Sequence, residues 1–295
     1  MTLRSRLASC AVIGAGLGIL AGCHKSEPPL PPAQPHYVIG SGWQGDGAWF
    51  YPRERFSDHE TGLAVRLALP RGAPMADGVS YDPDAMVGAH QTLQLPSIVT
   101  VRDLDNGRTV RIRLDGRGPT DPGRLVAVSP RVAALLGMGP GPARVAIDED
   151  EPASRAFAES SPDAPHLSIA SAPVGGVSEQ PLDDLGHAAG AAHQSGNNIA
   201  HWQPQGLDLT PLPAVYTQAW VAPGSLWVEI GRFSGRGAAR GVAARCSGDV
   251  SRAAESGAGL DWVVRSGPFA DVRQADEALQ AAFSCGMPGA RITAD

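Results

Sequence analysis

Apolar and polar positions alternate through several short runs in the first half of the chain. The run RTVRIRL at 108–114 alternates with arginines, which predicts a β-strand with one buried face. A second run, SIVTVRDL at 97–104, precedes it, and the DNG between them is typical of a hairpin turn. Ser129 and Pro130 then predict the start of a short helix. We expect residues 36–148 to fold as a domain of short strands.

A second pattern occurs twice in the last section, residues 224–295. Strand-like LWVEIGRF is followed by helical SGRGAARGVAARC, and strand-like DWVVRSGPF is followed by helical ADVRQADEALQAAFSC. With short strands after each helix, the order becomes strand, helix, strand, strand, helix, strand. This order predicts a small α+β sandwich of the ferredoxin-like type.

The segment between these regions, residues 149–223, loses this periodicity. It is rich in Ala, Ser, Pro, Gly and His, which predicts a disordered, flexible linker. His187, His193 and His201 lie in it, but their spacing fits no helical face or compact finger, and no cysteine accompanies them. We therefore expect solvated histidines, no metal site and no cofactor.

The N-terminus predicts export. Residues 1–22 contain two arginines, an apolar run too short to span a bilayer, and then small residues, which is typical of a signal peptide. The sequence LAGC ending at Cys23 looks like a lipobox, so Cys23 is expected to carry the lipid of a bacterial lipoprotein. His24 follows instead of the aspartate that signals inner-membrane retention in enterobacteria, which favours the outer membrane. Residues 23–35 are proline-rich and predict an extended tether.

The remaining cysteines, Cys246 and Cys285, lie at corresponding positions of the repeated pattern. In an oxidising periplasm we expect them to form a disulfide; two buried free thiols are the alternative.

Composition limits the partners. The chain has 295 residues, a net charge of -6, 36 Gly and 26 Pro, and its arginines are scattered instead of grouped in a stripe. These features argue against nucleic-acid binding.

Two segments resemble known families. Residues 81–119 (YDPDAMVGAHQTLQLPSIVTVRDLDNGRTVRIRLDGRGP), supported upstream by FYPRERFSDHETGLA at 50–64, resemble the rare lipoprotein A family, whose fold is a six-stranded double-psi β-barrel. The C-terminal section, with VEIGRF and VVRSGPF, looks like a SPOR domain. The resemblance implies an endolytic lytic transglycosylase, recruited to the division septum by glycan strands that lack stem peptides.

The family's proposed acids are missing from this sequence. The aspartate of the family's V-N-D-R-G-P falls on Gly116, and the glutamate of its A-N-G-E falls on Val79. The A-S-W-Y-G motif falls on AVRLA at 64–68, and the aspartate of R-x-x-D-L-S falls on Ala127. His90 and Arg117 keep the pattern. Asp115 lies one residue from the family acid, and a displacement by one residue tends to turn a side chain to the opposite face of the sheet.

Three functions therefore stay open. The first is a transglycosylase that uses Asp115 with His90 assisting and forms 1,6-anhydro ends. The second is a non-catalytic glycan-binding lipoprotein of cell division, and the third is an expansin-like wall-loosening module. We expect Arg117 to contact glycan in the barrel, and Trp227, Glu229 and Arg265 to contact it in the SPOR domain. Divisome proteins that bind the chain cannot be named from the sequence.

Overall fold

The computed structural model describes residues 34–161, 207–253 and 259–295. The predicted signal peptide, Cys23, most of the tether and the three histidines lie outside these ranges. Within them, no helix is both long and apolar enough to cross a membrane.

Six strands close into a barrel in the first half of the chain, which confirms the predicted fold. They pair in the order β4, β7, β3, β8, β5, β6, and β6 returns to pair with β4. The pairs β3–β7 and β4–β6 are parallel and the others antiparallel. The elements are β1 Trp43–Gln44, β2 Trp49–Phe50, β3 His59–Arg66, β4 Val87–His90, β5 Ser97–Asp103, β6 Arg108–Arg117, β7 Val126–Val128, α1 Pro130–Leu136 and β8 Ala143–Glu149.

Local signals account for the connections in the barrel. At the β5–β6 hairpin, the Asp103 carboxylate accepts from the backbone N–H groups of Asp105 and Asn106, and Gly107 has φ +75°. Helix α1 begins where the Ser129 side chain accepts from Val132 N–H, and it ends at a left-handed glycine, Gly137. The barrel interior is filled by alternating apolar side chains such as Val99, Ile112 and Val145.

The ends of the predicted linker carry structure. Helix α2, Glu151–Ser160, begins at Asp150, whose carboxylate accepts from Ala153 N–H. Its Phe157 and Ala158 cover Tyr37 and Ile98 of the barrel. Beyond the undescribed residues 162–206, strand β9, Thr217–Gln218, pairs with the start of β6. Helix α2 and strand β9 therefore lie within the stretch whose composition predicts a linker, and the rest of that prediction falls largely outside the described residues.

The C-terminal region has the predicted order of a ferredoxin-like sandwich. Its sheet runs β11, β12, β10, β13, entirely antiparallel, with both helices on one face. The elements are β10 Leu226–Phe233, α3 Arg236–Cys246, β11 Asp249–Arg252, β12 Trp262–Phe269, α4 Val272–Ser284 and β13 Arg291–Ala294.

A disulfide joins Cys246 to Cys285 at the ends of the two helices, with their Cα atoms 5.7 Å apart. This is the predicted pairing. The bridge closes a loop between residues 39 apart, and on the chain-entropy model such a bridge stabilises the folded domain by roughly 3 to 4 kcal/mol.

The barrel and the C-terminal domain are in contact. Leu63 and Ala146 of the barrel join the apolar core beneath the C-terminal sheet. Arg124 makes a bidentate ion pair with Asp276 on α4, with N···O distances of 2.7 and 2.9 Å. The backbone N–H of Ala294 donates to the Thr61 hydroxyl at 3.1 Å. The edge strand β13 therefore lies against strand β3 of the barrel.

Candidate functional site

A cavity of about 280 Å³ opens where the barrel meets the C-terminal domain. Strand β3 contributes Glu60 and strand β4 contributes His90, while strand β13 contributes Arg291. The hairpin of β1 and β2 supplies the aromatic side chains Trp49 and Tyr51. The cavity thus combines a carboxylate, a histidine, an arginine and an aromatic wall.

His90 is held in one orientation by backbone donors. The N–H groups of Thr92 and Leu93 donate to its Nδ1 at 3.2 and 3.1 Å. Because Nδ1 accepts, the ring proton is assigned to Nε2, which lies 3.6 Å from Glu60 Oε2. His90 is itself almost completely buried, so its ring would influence a ligand in the cavity through Glu60.

Glu60 is surrounded by positive partners. Its Oε1 lies 3.1 Å from Arg291 Nη1 and 3.5 Å from Arg55 Nη2. Burial opposes ionisation of this carboxyl, but the neighbouring Nε2–H of His90 and the charges of Arg291 and Arg55 outweigh it. The pKa of Glu60 therefore lies well below its ordinary value. Glu60 is a fixed carboxylate at neutral pH.

Asp58 is the second acid of this network. Arg55 Nη1 contacts it at 2.8 Å, and its other oxygen, Oδ2, is buried with no hydrogen-bond partner. Burial and the nearby charge of Glu60 raise the pKa of Asp58. The pKa values of these two neighbouring acids are thus shifted in opposite directions.

The aromatic wall is exposed. Trp49 is 56% exposed and Tyr51 is 68% exposed, and their rings stack at 6.4 Å. Behind them Trp43 and Phe50 stack at 4.6 Å. Rings with an apolar face and a polar edge suit ligands that are apolar on one side and hydroxylated on the other, as sugars are.

Asp115 does not reach this cavity. Its side chain is 0% exposed and makes a bidentate ion pair with Arg113, at 2.6 and 3.0 Å. The predicted partnership with His90 is therefore absent: His90 borders the cavity and Asp115 does not. Asp115 lies at a bulge of β6, where the pairing with β4 steps from Leu114 to Gly116, and its side chain turns to Arg113 in the protein interior.

The neighbouring family position is also closed. A Cβ built on Gly116 would lie 2.9 Å from Met75 Cε and 3.1 Å from Ala89 Cβ. A carboxylate at position 116 would therefore displace Met75. Beside it, Asp77 is buried near Asp115, and burial together with the charge of Asp115 raises the pKa of Asp77 to about 8.

Arg117 binds backbone carbonyls in this structure. Its guanidinium donates to the carbonyl oxygens of Leu93 and Ile39. Burial lowers the pKa of Arg117 to about 10. The side chain is not part of the cavity wall, so its predicted glycan contact stays a prediction.

The three residues predicted in the C-terminal domain share one face of its sheet. Glu229 pairs across the sheet with Arg265 on one side and Arg291 on the other. Trp227 donates to Asp295 from its indole N–H. Glu229 is 5% exposed and lies 3.0 Å from Arg232 and 3.3 Å from Arg291, so its carboxylate is already occupied.

Sequence reasoning did not single out Glu60, Arg291, Trp49 or Tyr51. Three of them lie in or beside the FYPRERFSDHETGLA stretch, and that stretch is the only local signal. Arg291 lies 231 residues from its partner Glu60. Among the described residues, no group of three or more His, Cys, Asp or Glu side chains could hold a metal ion.

Comparison with known proteins agrees with this architecture. The model of the SPOR domain family matches residues 222–284. The endolytic peptidoglycan transglycosylase RlpA of Pseudomonas aeruginosa is 33% identical over 191 residues, which cover 60% of this chain and 52% of that protein. The chain is thus similar to RlpA proteins over part of its length and carries a SPOR domain at its C-terminal end. The RlpA of Yersinia pestis is 42% identical over 66 residues, 22% of this chain and 18% of that protein. The RlpA of Rickettsia felis is 29% identical over 116 residues, 38% and 51% of the two chains.

The closed barrel fits the double-psi barrel that the resemblance implies, and the relatives' names support a protein that acts on peptidoglycan. The match spans about half of the Pseudomonas RlpA and less of the Yersinia one. What the whole relatives do therefore enters only as a proposal for this chain.

Proposed function

We propose that this protein binds the glycan strands of peptidoglycan in the bacterial envelope and does not cleave them. The observation that carries this proposal is the cavity, in which exposed aromatic rings lie beside an ionised carboxylate whose charge is balanced by neighbouring arginines. An ionised carboxylate accepts hydrogen bonds from sugar hydroxyl and amide groups. The aromatic wall gives the sugar ring a surface on which to stack.

Cleavage requires a different state of the acid. A lytic transglycosylase must protonate the glycosidic oxygen, and the same group then takes the proton from the sugar O6 hydroxyl as that oxygen closes on C1. Glu60 has a lowered pKa, and Asp115 is buried in an ion pair. The family's acid positions carry Gly116 and Val79. Among the described residues, the acid that lines the cavity is therefore ionised.

Arg53 favours glycans that have lost their stem peptides. Removal of the peptide leaves a free lactyl carboxylate on each muramic acid. Arg53 is exposed at the cavity and forms no ion pair within the described residues, so its guanidinium is available to this carboxylate. A peptide-substituted strand lacks that charge next to the sugar.

The envelope location extends this proposal. Lipidation at Cys23 would anchor the chain in the outer membrane, facing the periplasm, and residues 23–35 would lift the barrel from the membrane. The SPOR domain would bring it to denuded glycans at the division septum, where it would act in cell separation.

The test incubates the full mature chain with two substrates: amidase-treated glycan strands and the same strands with stem peptides intact. We expect retention on the amidase-treated strands, weaker retention on the peptide-bearing ones, and no 1,6-anhydro-muramic ends by mass spectrometry. Anhydro ends above those from a heat-killed control would overturn the binding-only function. Equal retention on both substrates would overturn the selectivity assigned to Arg53.

A transglycosylase is the second candidate, because Glu60 and His90 still place a carboxylate and a ring N–H together in an aromatic-walled cavity. In that case Glu60→Gln would abolish anhydro products. Asp115→Asn would keep them if the variant folds.

A further inference from the structure

Arg291 belongs to the SPOR domain but completes the barrel's cavity. Its guanidinium lies between two acids: Nη1 is 3.1 Å from Glu60 of the barrel, and Nη2 is 3.3 Å from Glu229 of the SPOR sheet. It is therefore the link in a chain of polar groups that runs from His90 through Glu60 to the face of the SPOR sheet.

The surrounding contacts hold this link in place. The Arg124–Asp276 ion pair and the Ala294–Thr61 hydrogen bond cross the same interface. Leu63 enters the SPOR core from the barrel. Because apolar and ionic contacts coincide here, the position of Arg291 is set by domain docking and not by one surface ion pair.

We propose that Arg291 is a positioning residue for Glu60, so that the barrel and the SPOR domain form one glycan site and not two independent ones. This inference rests on the proposed glycan binding and deepens it. A glycan strand lying on the sheet face beside Trp227 and Arg265 continues past the Glu229–Arg291 pair into the cavity beside Glu60. The SPOR domain thereby shapes the ligand site of the barrel.

Arg291 acts on both the place and the charge of the Glu60 carboxylate. The groups that face this carboxylate are Arg55 and Asp58 from the segment leading into β3, His90 from β4, and Arg291 from β13, with Glu229 of β10 behind Arg291. Arg55 also serves Asp58. Loss of Arg291 therefore leaves Glu60 with one shared arginine and the His90 ring, and its pKa should rise.

The first test measures glycan affinity in the full mature chain with soluble, peptide-free glycan tetrasaccharides, which need no targeting to a sacculus. We expect Arg291→Gln to weaken binding about tenfold, the scale of a lost hydrogen bond to a charged group. The loss should be larger at pH 5 than at pH 7.5, because without Arg291 the pKa of Glu60 lies closer to this range than in the wild type. In the wild type the Glu60 carboxylate stays ionised over that range.

Arg273→Gln is the matched control. It removes the same charge from the same domain, but within the described residues Arg273 pairs only with its helix neighbour Glu277 on an exposed surface. We expect its affinity to equal that of the wild type. Unchanged affinity in Arg291→Gln at both pH values, while wild type binds, would overturn the single-site proposal.

A second readout does not depend on ligand. Carboxyl-carbon NMR of Glu60 should show its titration moving to higher pH in Arg291→Gln and staying in place in Arg273→Gln. An unmoved titration would overturn the positioning role. Small-angle scattering checks that the variant's domains stay docked; a larger radius of gyration in Arg291→Gln would instead assign its effect to domain separation and also overturn that role. Failure of wild type to bind any glycan would overturn the proposed function, and the single site with it.

Discussion

Two acid–arginine clusters in this protein use the same residue types in opposite ways. In one, Asp115 and Arg113 form a bidentate pair inside the barrel, with Asp77 beside them and no exposed carboxylate surface. In the other, Glu60 meets Arg291 and Arg55 at the edge of an open cavity. The first cluster lies next to the family's acid position, Gly116, and the second lies outside the motif.

The comparison teaches that the place of an acid in a motif does not decide its chemistry. Asp115 satisfies a buried arginine, and removal of either partner would leave an uncompensated charge. Glu60 shares its partners with Glu229 and Asp58, so its own loss leaves each arginine paired. The first cluster should therefore control stability, and the second should control ligand binding.

Asp115→Ala should give the largest effect on folding. It removes the bidentate partner of the buried Arg113 and leaves it, within the described residues, the Leu209 carbonyl at 3.1 Å as a hydrogen-bond acceptor, which should lower the free energy of unfolding by about 3 to 5 kcal/mol. Urea denaturation measures this change. Asp82→Ala, which breaks an exposed ion pair with Arg71, is the control and should barely move the midpoint. A stable Asp115→Ala variant with lost glycan binding would reverse the roles of the two clusters.

Asp77→Asn should stabilise the protein by about 1 to 3 kcal/mol at pH 7. The pKa of Asp77 is raised to about 8 by burial and by Asp115, so the folded state holds a proton that the unfolded chain releases above about pH 4. The free energy of unfolding should consequently fall as pH rises from about 4 to about 8.

The Asn variant removes this slope, because an amide does not titrate, and the amide still supplies a donor toward Asp115 at every pH. Denaturation at several pH values checks this prediction. Parallel pH profiles for wild type and Asp77→Asn would show that Asp77 does not retain its proton.

Glu60→Gln should have the smallest effect on stability, within about 1 kcal/mol. Arg291 keeps Glu229 and Arg55 keeps Asp58, whose pKa should drop once the charge of Glu60 is removed. Glycan affinity, measured by calorimetry with the tetrasaccharide, should nevertheless fall about tenfold. A variant that unfolds easily but still binds glycan would make Glu60 a structural residue like Asp115.

Much of the fold could be predicted because its signals are local. Alternation marked β5 and β6, the DNG turn joined them, and Ser129 with Pro130 began α1. Helix α2 was missed since EPASRAFAES has the composition of a linker, with Phe157 as its only large apolar side chain. Only contact with the barrel makes that residue a core residue.

The site was less accessible to sequence reasoning. His90 could be found because it keeps a motif, and the face shared by Trp227 and Arg265 followed from strand alternation. Glu60 and Arg291 could not be paired from sequence, because the apolar–polar periodicity of each domain does not show which residues of two domains are in contact.

Strand β9 also sets how far the SPOR domain can reach. It fixes Thr217 and Gln218 to the barrel, and β10 begins at Leu226, so the connection between the two domains is only residues 219–225, whatever the length of the segment before it. Even fully extended, this connection spans at most about 28 Å. A glycan strand held by one domain is therefore presented to the other at an effective concentration on the order of millimolar, which turns two weak contacts into one durable attachment.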